Sequence, residues 1–226
     1  MRLIEKILPK YCWLPLFLVV AVNIVVYYLS PIFAIGDSVD LSICIDKALP
    51  VVPFFLFFYV LAYLQWAAGH IINCRDNVKL CYIMATADII AKLICMVFFI
   101  VLPTRIVRPE ITGNGFFDIG TRLIYSIDRP INLFPSIHCL ESYICFRCSF
   151  LMQKKNKYYI IAQGIIALLV FASTILIKQH FFVDIIGGIL VVEVGMLLSK
   201  RFNWWRIMEK IQIPAFRPMS SKDSER

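Results

Sequence analysis

Apolar residues run along this chain in six long blocks, near 12–29, 49–69, 80–102, 137–152, 159–177 and 181–199, with short polar or charged segments between them. A helix that crosses a bilayer needs about 20 mainly apolar residues. In lipid the backbone must bond to itself, so such blocks read as helices. The pattern therefore predicts an all-α fold, a six-transmembrane-helix bundle that uses residues 1–226 as a single integral membrane domain. Composition agrees: 60% of residues are hydrophobic and 17% charged, with a mean hydropathy of +0.78, beyond a soluble domain's range.

Charge supplies the orientation. Basic residues gather at Arg2, Lys6 and Lys10, at Arg75 and Lys79, and at Lys154, Lys155 and Lys157. More follow the sixth block, from Lys200 to Arg226, with Trp204 and Trp205 suited to headgroup anchoring. The positive-inside rule puts these segments in the cytoplasm, so both termini are expected there and residues 200–226 form a basic cytoplasmic tail. The same rule accounts for the net charge of +8, and no nucleic-acid partner is expected. The first block resembles a signal peptide, but Tyr27-Tyr28-Leu29-Ser30-Pro31 has no small-x-small cleavage site, so it is expected to be retained. On the opposite face, the 104–135 connection exceeds the ~15 residues typical of a simple loop. Its aromatics Phe116, Phe117 and Tyr125 predict a packed extracytoplasmic cap.

The same extracytoplasmic ends carry the polar residues able to do chemistry. With six alternating spans, Arg108, Ser136, His138, Ser173, His180 and Asp184 all fall at one face. The loop charges set the orientation and the polar residues set the site, so the two readings are independent. Arg108-Pro109, then Pro135-Ser136-Ile137-His138, then Ser173-Thr174 with His180 and Asp184, follow in one order. In these residues the chain resembles the type 2 phosphatidic acid phosphatase family. The resemblance implies lipid-phosphate hydrolysis through a phosphohistidine at an extracytoplasmic active site. Two family cations are replaced, by Val101 and Thr174, which leaves Arg105 and Lys178 as substitutes for phosphate binding. The loss of the second is also similar to the inositol phosphorylceramide and sphingomyelin synthase branch.

The residues themselves support a parallel account. A neutral imidazole attacks phosphorus if a carboxylate fixes its tautomer, which makes His180 the candidate nucleophile and Asp184 its orienting partner at i+4. A second imidazole, His138, would protonate the departing alkoxide. Ser136 and the free N–H groups opening the fourth span would meet phosphate oxygens. Arg108 would add a two-pronged contact, and Ser173, Arg105 and Lys178 complete the expected substrate-phosphate set. Glu141, one turn beyond His138, is a candidate to orient it, while Asn132 and Asp128 are placed to line the cleft. No metal is expected at this mouth, because Asp184 is engaged and no second ligand set converges there. Cys145 and Cys148 lack a second pair, and no cofactor is expected.

Elsewhere, Asp88 and Lys92 are expected to pair structurally at i, i+4, and His70 to be a boundary residue on the cytoplasmic side. Glu193 is expected to bridge helices, and Gly187, Gly188 and Gly195 to allow close helix approach. The functional expectation is an integral membrane lipid-phosphate phosphatase of the cell membrane, acting on a membrane lipid phosphate within the bilayer. Two alternatives stay open: a lipid phosphotransferase that passes the phosphoryl headgroup to a lipid hydroxyl, and a non-catalytic anionic-lipid binder or transporter. Phosphatidic acid, a phosphatidylglycerol phosphate, an isoprenoid diphosphate and a sphingolipid donor fit equally, and no oligomeric state is indicated.

Overall fold

A computed structural model describes residues 7–212. Nine α-helices are described: α1 (Trp13–Leu29), α2 (Cys44–Ala48), α3 (Leu56–Asp76), α4 (Val78–Val101), α5 (Phe116–Ile127), α6 (Ile137–Ser149), α7 (Lys157–Leu176), α8 (Phe182–Arg201) and α9 (Trp205–Ile211). Among the described residues the β pairing is limited to isolated bridges, Val39 with Thr104 and Arg105 with Ile131. Arg2, Lys6 and the tail beyond residue 212 lie outside the described residues.

Five helical stretches are long and apolar enough to cross a membrane: Lys10–Ile32, Pro53–Asp76, Val78–Val101, Lys157–Leu176 and Phe182–Arg201. The fourth block, 137–152, forms the shorter α6, whose 13 residues make a rod only about 20 Å long. It is also the most polar of the central helices, carrying His138, Glu141 and Arg147. It is tolerated because α3, α4, α7 and α8 pack against it, so protein takes the place of lipid around it.

The start of α3 also differs from the pattern, which places the second block at 49–69. Proline lacks an N–H and is accommodated only in a helix's first turn. Pro53 accordingly opens a 3-10 turn, Pro53–Phe55, and the α-helix begins at Leu56. The far end shifts with it and runs to Asp76, where Asn77 caps α4 by accepting from the Leu80 N–H at 2.8 Å. His70, expected at a boundary, is therefore more than a turn inside α3 and buried.

There it joins a cluster of ionisable groups in the interior of the bundle. Lys92 on α4 sits 2.7 Å from Asp88 and 2.5 Å from Glu141 on α6, and its ammonium also donates to the Val19 carbonyl of α1 at 3.3 Å. The expected Asp88–Lys92 pairing is present. His70 Nε2 lies 3.0 Å from Asp88. Four helices are thus tied together by charge at one level. A second tie joins α6 to α8, where Glu193 accepts from the Tyr143 hydroxyl at 2.7 Å and pairs with Arg147 at 2.8 Å.

The 104–135 connection carries α5, whose start is capped by Asp118 accepting from the Gly115 N–H at 2.9 Å. Arg122 donates back to the Ile111 carbonyl at 2.8 Å and to Gly113, closing the loop on itself. At the opposite end, α9 packs on α4 with Met208 buried, and Gln212 donates to the Tyr11 carbonyl at 2.8 Å. The first and last described segments therefore meet at the end away from the 104–135 connection. Close packing of α8 on α4 depends on Gly195, where an added methyl would run into the Ala87 carbonyl. Gly195→Ala is expected to lower stability by about 1–3 kcal/mol, as overpacking does. Denaturant unfolding in detergent micelles, against the parent chain, measures it.

Candidate active site

The site begins with the way α8 starts. Asp184 occupies the third position of α8, and its Oδ2 accepts the Phe181 N–H at 2.9 Å, which satisfies a helix-end donor. The same oxygen lies 3.1 Å from His180 Nδ1. The expected pairing is present, but its cause differs from the one expected. His180 precedes the helix, and the carboxylate reaches it by bending back over the first turn. His180 Nδ1 also lies 3.1 Å from the Leu133 carbonyl oxygen. Both neighbours are acceptors, so Nδ1 holds the proton and Nε2 presents its lone pair. Asp184 itself is fully buried.

α6 is locked to this turn by its own entry. The Ser136 N–H donates to the Asp184 carbonyl at 3.1 Å, and Ser136 Oγ caps α6 by accepting from Cys139 at 3.3 Å. A methyl on Gly188 would sit 2.8 Å from the Ser136 carbonyl oxygen, so glycine sets how closely α8 approaches. The Phe134–Pro135 peptide ahead of this entry is cis. The result places the His138 ring 5.9 Å from the His180 ring, centroid to centroid.

His138 is held by aromatic rings that sequence reasoning missed. Tyr59 stacks on it at 4.3 Å, while Trp66 and Tyr63 meet it edge-on at 5.1 and 5.9 Å. These three stand at i, i+4 and i+7 on one face of α3. Tyr59 in turn donates to Asp128 Oδ2 at 3.1 Å, and Tyr27 donates to Oδ1 at 3.2 Å. Asp128 thus steadies His138 through a ring. Glu141, expected to orient His138, does not: its carboxylate turns to Lys92, one turn deeper.

Arg108 reaches the site from the 104–135 connection. It donates to the carbonyls of Tyr125 and Asp128 at 3.1 and 2.7 Å, lies over the Tyr125 ring at 4.8 Å, and bonds to the Gln179 side-chain oxygen. Burial pulls its pKa down and the Asp128 carboxylate opposes this, so the guanidinium stays charged. Burial also pushes the Tyr125 phenol up to about 12, which keeps its proton for the bond to Ile177 at 2.8 Å.

Of the other expected phosphate ligands, Ser173 and Lys178 are engaged elsewhere. Ser173 donates back to Val170 within α7 at 2.7 Å, a bond a buried helical serine readily makes. Lys178, in left-handed backbone at φ +51, gives its ammonium to the Asp46 and Leu49 carbonyls at 2.7 and 2.8 Å and so anchors α2. Arg105 is exposed and lines neither cavity described below. Gln179, unremarked in the sequence, bonds to Arg108 and lines the cavity that contains both His138 and His180.

Two cavities meet at His180. One, of about 410 Å³, is walled by Tyr27, Tyr59, Tyr63, Trp66 and Phe99 and contains His138, Gln179, Asp128 and Asn132. The other, of about 520 Å³, mixes charged Asp46, Lys47, Arg108 and Lys178 with apolar Leu49, Val51, Ile106 and Phe181 around His180. Comparison of the chain with protein-family models, with characterised proteins and with solved structures finds no match.

Three buried nitrogens in this region lack a hydrogen-bond partner: Arg108 Nε, Gln179 Nε2 and His138 Nε2. Buried polar groups are rarely left unpaired, and Gln179 Nε2 and a protonated His138 Nε2 belong to residues that share one cavity with His180, where an oxyanion would accept from them. Gln179→Ala is expected to weaken orthovanadate binding about 10-fold, the worth of one hydrogen bond to a charged group. Calorimetric titration of the purified protein measures that loss.

Proposed function

We propose that this chain is an integral membrane lipid phosphatase that cleaves a lipid phosphate ester through a phosphohistidine. The observation that carries the reading is an imidazole, His180, whose proton is held on the far nitrogen, in one cavity with the unpaired buried nitrogens of Gln179 and His138. The resemblance of the three short motifs to the type 2 phosphatidic acid phosphatase family supports the same chemistry. The face bearing the site is taken as extracytoplasmic because the basic loops gather at the other end.

The steps follow from the geometry. The lipid tail lies in the aromatic cavity, and the phosphoryl oxygens face Arg108, Gln179 and the first N–H groups of α6. His180 Nε2 attacks phosphorus while the ester P–O bond breaks, and His138 gives its proton to the departing alkoxide. The imidazolium formed at His180 is stabilised by the Asp184 carboxylate. His138, now neutral, takes a proton from water as that water attacks phosphorus. The P–N bond breaks and phosphate leaves.

A second reading has its own observation. The second cavity at His180 gives room for a substituent on the transferred phosphoryl group, which a phosphodiester has and a monoester lacks. A lipid hydroxyl would then replace water as acceptor.

Purified protein in lipid vesicles, given phosphorus-labelled lipid phosphates, separates these readings. Release of free phosphate is the expected outcome, label in a second lipid assigns a transferase, and an unchanged substrate defeats both. His180→Ala is expected to abolish turnover. His138→Ala is expected to slow alkyl-ester cleavage about 10²–10⁴-fold, the usual worth of a general acid. Its loss with p-nitrophenyl phosphate, whose leaving group needs no proton, is expected to be far smaller.

A further inference from the structure

The mechanism uses none of the charges on the level below the site. His70, Asp88, Lys92 and Glu141 meet there, each nine-tenths or more buried. Lys92 is saturated: its three N–H donors face Asp88 Oδ1, Glu141 Oε1 and the Val19 carbonyl. That leaves the other oxygen of each carboxylate turned toward His70 Nε2, at 3.0 Å for Asp88 Oδ2 and 3.7 Å for Glu141 Oε2. The three residues each offer a ligand atom within 4.8 Å of the others.

Charge decides that something positive belongs among them. Two carboxylates against one ammonium leave a net negative charge deep in a bundle, which is costly without compensation. A proton on Nε2 would serve Asp88 but leave Glu141 Oε2, at 3.7 Å, beyond hydrogen-bond reach. That oxygen is buried and has no hydrogen-bond partner. A metal ion would serve all three atoms. Ligands about 2.0–2.2 Å from a tetrahedral ion stand roughly 3.3 Å apart, between the two separations found.

The surroundings match a metal site as well. His70 Nδ1 lies 3.0 Å from the Trp66 carbonyl oxygen, the kind of contact that fixes the tautomer of a ligating histidine and leaves Nε2 free to bind. Lys92 braces the outer oxygens of both carboxylates. We propose that His70, Asp88 and Glu141 bind one divalent transition-metal ion, of the zinc class, which joins α3, α4 and α6 beneath the active site. Nitrogen and carboxylate ligands suit zinc. Because the ligands are buried, the ion enters during folding and resists chelators in the finished protein.

The test is metal content. The full chain is produced in zinc-supplemented cells, purified in detergent, dialysed against chelator and assayed by elemental mass spectrometry. About one zinc per chain is expected from three ligands and a closed site. His70→Ala and Glu141→Gln are each expected to carry a small fraction of that. Gel filtration checks that both variants are monodisperse. Cobalt-grown protein should show visible d–d absorption that is missing from the same variants. A metal-free parent chain from both preparations would overturn the proposal and assign the charge to a protonated His70. Equal zinc in parent and variants would overturn it too, as adventitious binding. Neither result bears on the phosphatase reading, which the lipid assay tests by itself.

Discussion

The Asp184 carboxylate ties the start of a helix to the orientation of the candidate nucleophile. One oxygen caps α8 at Phe181 and faces His180 Nδ1, while the residue's backbone carbonyl takes the N–H of Ser136. A fully buried carboxylate is costly unless bonded, and here the bonds that stabilise it are the ones that define the site. The positive end of the α8 dipole adds to them. Tautomer, helix start and the entry of α6 therefore stand or fall together. Gly188 lets the arrangement close, since a side chain there would press on the Ser136 carbonyl.

Below this hub, α3 presents one continuous working face to α6. Tyr59, Tyr63 and Trp66 hold His138, Trp66 donates to Ser142 at 2.9 Å, and His70 and Asn73 continue the row, the latter donating to the Cys145 carbonyl at 2.9 Å. This explains how a helix as short and polar as α6 is kept in the core. Its hydrogen-bonding groups find partners on α3, and its charge at Glu141 finds Lys92 on α4. Depth orders the chemistry: imidazoles at the mouth, aromatic rings around them, and the ion cluster beneath.

Sequence periodicity made the helices legible because lipid leaves the backbone few alternatives. The central residues His138, His180, Asp184 and Arg108 were legible too, since polar residues at the ends of apolar blocks are conspicuous. Two things were not. Apolarity cannot tell a lipid-facing ring from one facing an imidazole, so Tyr59, Tyr63 and Trp66 passed as ordinary span residues. Nor can it show which donors are already occupied: Ser173 and Lys178 are close in sequence to the site, yet a carbonyl one turn back in α7 takes the first and carbonyls at α2 take the second. The displacement of α3 misled in a third way. Pro53 sets the start of the helix, and a helix begun late carries His70 from an expected boundary into the interior.

The supply of positive charge bears on which ester this site suits. At neutral pH a phosphomonoester carries about −1.5 to −2 charges, whereas a diester carries one. Val101 and Thr174 stand where the resembled family has cations, Lys178 is tied to α2, and the terminal nitrogens of Arg108 are committed to Tyr125, Asp128 and Gln179. Much of what remains for an anion is neutral: Gln179 Nε2 and the opening N–H groups of α6. In the proposed reaction, in-line displacement would put the leaving group opposite His180, beside His138 in the aromatic cavity. Any substituent kept on phosphorus would then lie to the side, where the second cavity borders the same imidazole. For a monoester, water fills that cavity and the site must hold nearly two charges with one guanidinium. For a diester, the charge is halved and the cavity has an occupant, so the geometry on which the proposed first half-reaction rests also weighs the choice of substrate.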